Sequence, residues 1–161
     1  MKNRGFTLIE LVSVIVILGI ISVTAAPRFL NLKSDATKAT LDGFVGAFNA
    51  TNEIVMGKAT IEGLEKEKLA KLPDQDIWIR WGVIALDSNN VENAMQTDDY
   101  QLLSYGNPNT PSLVVYTGKE RTLRELKDYN CFVQFTRSYT IVGSEIVDIG
   151  DLTINKFYQG C

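Results

Sequence analysis

Few side chains in this 161-residue sequence are equipped for chemistry, and the most unusual is a carboxylate. Glu10 is the only charged residue between Phe6 and Ala26, within the stretch "RGFTLIELVSVIVILGIISVTAAPRF". An ionisable group in so apolar a run is unfavourable in lipid unless a partner neutralises it, so Glu10 predicts a cation met at that depth. The chain has no histidine, which removes the usual general base of hydrolases and the commonest transition-metal ligand. Neither an enzyme nor a cofactor is expected. Two cysteines are present, Cys131 and Cys161; in the cytosol they would be thiols, whereas in an oxidising compartment one bond between them is the default.

Other candidates read as structure. Trp78 and Trp81 raise carbohydrate stacking, but large aromatics in a strand serve packing first. The segment "DSNNVENAMQTDD", Asp87 to Asp99, offers oxygen ligands of the kind calcium takes. It lacks the EF-hand glycine at the sixth position from Asp87 and reads as turns, so no metal is assigned. A net charge of −3 with basic residues scattered among acidic ones argues against nonspecific nucleic-acid binding, and no specific nucleic-acid partner is predicted.

The element that must position Glu10 is the apolar run itself. At about 1.5 Å rise per residue, a helix from Phe6 to Ala26 matches a bilayer core of roughly 30 Å. Lys2 and Arg4 precede it and hold the short N-terminus in the cytoplasm by the positive-inside rule, sending the remainder outward. That export makes the cysteine bond the expected state. A mean hydropathy close to zero thus averages two unlike parts, one anchor and one soluble domain. A signal peptide cut after the small residues of "VTAA", or a plain signal anchor, would also carry an apolar run, but neither explains the carboxylate.

The stretch "RGFTLIEL" resembles the type IV pilin precursor motif, in which a short basic leader ends in glycine, the mature chain begins with phenylalanine, and a glutamate stands at its fifth position. The resemblance implies cleavage between Gly5 and Phe6 by a prepilin peptidase, methylation of the new Phe6 amine, and retention of the apolar helix. It also supplies the missing cation: the Phe6 amine of a neighbouring subunit meets Glu10 as helices pack into a filament. The expected organisation is a leader at 1–5, a transmembrane and assembly helix at 6–27, and a globular head at 28–161. The expected fold is α+β, a long N-terminal α-helix, half membrane-spanning and half amphipathic, packed on an antiparallel β-sheet head.

Gly19 and Pro27 are poor helix residues, costing about 1 and about 3 kcal/mol relative to alanine in a helix interior. Ser22 and Thr24 between them can hydrogen-bond freed backbone groups. The resemblance makes this a part of the helix that loosens in the filament; close helix packing is the other reading of Gly19.

Beyond Arg28 the apolar residues keep helical spacing. Leu41, Phe44, Val45, Phe48 and Val55 form one stripe, and Ala36, Ala39, Gly43, Ala47, Ala50 and Ile54 a neighbouring one of mostly small side chains. A helix from Phe6 to near Met56 would be roughly 75 Å long, with Gly57 as its stop. Glu62 to Asp76 predicts a short solvated helix ended before Pro73, with Glu62–Lys66 and Glu67–Lys71 pairs outward and Leu64, Leu69 and Leu72 inward. Strands are predicted in "IWIRWGVIAL", "PSLVVYTG", "CFVQFTRSYTIV" and "SEIVDIGDLTINKFY". A short helix "TLRELKDY", capped by Thr122 and Glu125, lies between two of them.

Major type IV pilins commonly pin the end of the head with one disulfide, which the resemblance implies for Cys131 and Cys161. Closing a loop of about 30 residues is worth roughly 3–4 kcal/mol by loop entropy. "GIISVTAAPRFLNL", "LSYGNP" and the terminal cysteine are most similar to the mannose-sensitive haemagglutinin group of these pilins. The implied role is the major subunit of a homo-oligomeric helical filament for adhesion, biofilm formation or motility. Its implied partners are the prepilin peptidase, an assembly platform in the inner membrane, minor pilins, and membrane lipid before assembly. The precursor would sit in the inner membrane of a Gram-negative bacterium with its head in the periplasm, and the filament outside. A minor pilin and a pseudopilin of a type II secretion system are the alternatives.

Overall fold

The computed structural model describes residues 6–107, 110–143 and 145–161, with only the backbone described for 26–31. The first element is α1, Leu8–Ile61, and it contributes to both of the compact units into which the chain divides, Met1–Thr37 and Lys38–Cys161. Among its described residues the first unit is helix from Leu8 onward. Ser22 and Thr24 turn their hydroxyls back on it, donating to the carbonyls of Leu18 at 2.7 Å and Ile21 at 3.0 Å.

Among the described residues, the second unit holds the remaining nine elements in an α+β arrangement. Two antiparallel sheets are present: β1 (Ala70–Lys71), β2 (Trp78–Arg80) and β3 (Val83–Ile84) form a small one. The larger is built in sequence order from β4 (Gln101–Asn107), β5 (Thr110–Tyr116), β6 (Phe132–Val142) and β7 (Glu145–Phe157). Helix α2 (Ser88–Ala94) precedes β4, and α3 (Leu123–Tyr129) connects β5 to β6.

The predicted helix stripe is the seam of the core. Leu41, Phe44, Phe48 and Val55 are buried and continue through Ala59, while Val45 is only half-buried and the small-residue stripe from Ala36 to Ile54 is exposed. Phe48 and Phe44 meet Phe135 of β6 with ring centroids 4.8 and 5.9 Å apart, and Tyr100 closes on Phe44 at 4.8 Å. β5 shows why its run of apolar residues does not alternate: Leu113 and Val115 face the main core, whereas Val114 and Tyr116 face a second cluster with Leu126 and Phe132 under α3. A strand covered on both faces has no polar side to show.

Four sequence expectations are corrected. α1 passes through Gly57 and ends one turn later, where Gly63 takes φ +69 and the N–H groups of Gly63 and Leu64 donate to the carbonyls of Thr60 (3.2 Å) and Ala59 (2.8 Å). That is a Schellman closure, and Gly63 is its left-handed residue. The expected helix over Glu62–Asp76 is absent; turns lead into β1, Leu69 is exposed, and the charged residues pair elsewhere. Lys71 meets Asp76 at 2.7 Å and Lys68 meets Glu145 at 3.0 Å, while the Glu67 carbonyl accepts the Trp81 N–H. Solvated i, i+4 pairs are worth about 0.2–0.5 kcal/mol each, too little to resist sheet pairing.

The single strand expected from Ile77 is a hairpin, β2 to β3, turned by Trp81 (φ 47) and Gly82 (φ 76), the two positive angles that a tight primed turn demands. Asp87–Asp99 contains α2 rather than turns alone. Asp87 caps it by accepting from the N–H groups of Asn89 and Asn90. Buried Asn90 bridges Trp78 and Ala85, its Nδ2 donating to both carbonyls at 2.8 Å and its Oδ1 accepting the Trp78 N–H. The expectation for α3 holds, with Thr122 and Glu125 forming a reciprocal capping box.

Candidate functional site: the N-terminal segment of α1

Leu8–Ala25 is the one helical stretch among the described residues long and apolar enough to cross a membrane, and none of it is buried by the rest of the chain. β-branched and leucine side chains surround the helix on all sides, so this segment has no face of its own to hide and must be solvated by lipid or by other helices. Glu10 lies in its first turn. Its carboxylate folds back on the chain: Oε2 accepts the Thr7 backbone N–H at 2.8 Å and the Thr7 hydroxyl at 2.6 Å, and the Glu10 N–H donates to Thr7 Oγ1 at 3.3 Å.

Glu10 is therefore the reciprocal half of an N-terminal cap, and "TLIE" carries the usual S/T-x-x-E signature for it. The same signature at Thr122 and Glu125 was legible in the sequence, whereas here it is the one polar pattern at the edge of an apolar run and was missed. The cap satisfies donors at a helix start and places a negative charge near the positive end of the helix dipole. It adds no cation. The carboxylate is thus held in one orientation at the very start of α1, close behind Phe6, which is exposed.

The other sequence-singled residues fall as follows. Gly5 lies outside the described residues. Gly19 is inside α1 with open space where a Cβ would stand. Pro27 is within the span of α1, and its side chain lies outside the described residues. Cys131, buried immediately before β6, is disulfide-bonded to Cys161, with Cα atoms 4.9 Å apart. Around that bond the chain is closely fitted: the Gly160 N–H donates to the Asn130 carbonyl at 2.9 Å, and a Cβ on Gly160 would run into the Tyr129 carbonyl oxygen. Trp78 is 44% exposed and Trp81 stacks on Tyr139 at 6.2 Å.

A second polar group ties the head together. On α1, Asp42 Oδ1 accepts the Tyr158 hydroxyl at 2.6 Å and pairs with Lys156 Nζ at 2.7 Å. The hydrogen bonds from Lys156 and Tyr158 hold the Asp42 carboxyl below the usual range, while burial and the adjacent Asp42 push the Tyr158 phenol up. This is a clamp between helix and sheet, not a reactive centre.

Residues 1–26 match the prokaryotic N-terminal methylation motif. Among curated proteins, the chain is similar to the type IV narrow pilus major component PilA5 of Thermus thermophilus, 42% identical over 59 residues. The alignment covers 37% of this chain and 51% of that protein, so the chain spans about half the length of the curated relative it matches. No solved structure matches it.

Proposed function

We propose that this chain is a structural subunit of a type IV pilus, not an enzyme. The carrying observation is Glu10, an oriented carboxylate at the start of an unburied apolar helix, inside the matched methylation motif. Cleavage between Gly5 and Phe6 creates an amine, methylated on Phe6. That cation on one copy neutralises Glu10 of the next, as helices exchange lipid for each other. Breaking such a pair leaves an uncompensated charge in an apolar seam, which makes the pair a register device as well as an attraction. Gly19 and Pro27 bound the part of the helix that loosens during packing.

The finer reading follows the similarity over 59 residues to a major pilus component and the resemblance to the mannose-sensitive haemagglutinin group. It makes this a major subunit, held before assembly in the inner membrane of a Gram-negative cell with its head in the periplasm. A prepilin peptidase trims it, an assembly platform extrudes it, and minor pilins join it in a filament for adhesion, biofilm formation or motility. Mass spectrometry of sheared surface filaments tests this directly. The expected principal subunit begins at methylated Phe6, and a cell-surface monomer still starting at Met1 would defeat the reading.

A further inference from the structure

We propose that Thr7 is a positioning residue for leader removal: its cap with Glu10 halts α1 short of the bond to be cut and presents that bond on non-helical backbone at the membrane face. The inference rests on the cleavage reading above. Hydrolysis of the Gly5–Phe6 bond takes up one water and leaves a carboxylate on Gly5 and an amine on Phe6. The atom attacked is therefore the Gly5 carbonyl carbon.

Helix α1 has a defined first residue, Leu8, and both Phe6 and Thr7 stand outside it. The Thr7 carbonyl accepts the Leu11 N–H at 3.3 Å, so Thr7 closes the first helical turn from the cap position. Three further bonds tie that position to Glu10: the Thr7 N–H and hydroxyl donate to Oε2, and Thr7 Oγ1 accepts the Glu10 N–H. This reciprocal arrangement needs a cap residue whose backbone is extended. Thr122, which heads α3 with the same box, shows that conformation at φ −75 and ψ 161. Lengthening α1 at its front would turn Thr7 helical and break the box.

Without such a stop, apolar surroundings favour a longer helix. Unpartnered N–H groups at a helix start find no water in lipid, and a further turn is the most direct way to satisfy them. With Phe6 and Thr7 added to the helix, the Ile9 N–H would reach back to the Gly5 carbonyl by the i to i−4 rule. That would engage the very carbonyl to be attacked, and a peptidase would first have to open the turn. The cap removes this obstacle, and Phe6 stands 82% exposed ahead of it. Non-helical backbone is not tolerated against hydrocarbon, so the helix start also marks where the chain leaves lipid. The bond ahead of it then lies within reach of an enzyme working at the membrane surface.

The test compares kcat/KM for leader removal from the full-length precursor in detergent micelles by a prepilin peptidase, read by mass spectrometry. Five variants sort the possibilities: Thr7→Ser, Thr7→Asn and Thr7→Gly all suit a helix cap, whereas Thr7→Ala and Thr7→Val do not. The first three should be cut within about twofold of the unsubstituted chain, and the last two about fivefold more slowly. Glycine is the sharpest of these, since it restores the cap backbone with no side chain for the enzyme to read. Equal rates for all five would overturn the role of the cap. Rescue by Thr7→Ser alone would overturn it too, because the peptidase would then be reading the hydroxyl itself. If the unsubstituted precursor is left uncut, the cleavage reading fails and this role falls with it.

Discussion

At the scale of single residues, Glu10 has two separable duties, a cap for α1 and a charge for assembly. Glu10→Gln tells them apart, since an amide oxygen still accepts from Thr7 but carries no charge. We expect the variant to be cut and methylated normally, read by mass spectrometry of Phe6, while sheared filament falls to near background. Thr7→Val removes the cap and keeps the charge, and should dent assembly far less. Asp42 titrates outside the apolar span. Its folded-state pKa lies below that of the unfolded chain, so its stabilisation is present above about pH 4 and is lost as pH falls through the lower folded value. Asp42→Asn should flatten the acid limb of a stability–pH curve; because both partners of its ion pair are about half exposed, the loss at neutral pH is under about 1 kcal/mol.

At the scale of elements, what could be read in advance depended on how local the signal was. The cap of α3 is written in Thr122 and Glu125, and the core stripe of α1 in the spacing of Leu41, Phe44, Phe48 and Val55, so both were legible. The hairpin of β2 and β3 was not, because it places a tryptophan at positive φ and relies on the Trp81 N–H finding the Glu67 carbonyl, a contact between distant parts of the chain. The segment from Glu62 to Asp76 misled for the opposite reason, its local charge pattern being real but weak beside sheet pairing. Two substitutions test these elements. Phe48→Ala, which empties the ring site beside Phe135, should cost about 3–5 kcal/mol in denaturant unfolding. Gly82→Ala should also destabilise, since a Cβ there would stand 2.5 Å from Met56 Sδ and 3.3 Å from the Glu65 Cα at a φ of +76.

At the scale of the whole molecule, the disulfide fastens the last residue to the first residue before β6, and replacing both cysteines with alanine should cost about 2–5 kcal/mol, measured by the same unfolding curves. The apolar character of Leu8–Ala25, unlike the rest of the chain, was visible from hydropathy alone. The second apolar cluster under α3 was not, because it depends on strand register that no single segment encodes. A practical corollary concerns where the buried interior starts. Among the described residues the first buried side chain is Leu41, just past the boundary between the two compact units at Thr37 and Lys38. A shortened gene whose product opens at Lys38 should consequently keep the entire hydrophobic nucleus, dissolve without detergent, and crystallise as a free-standing domain.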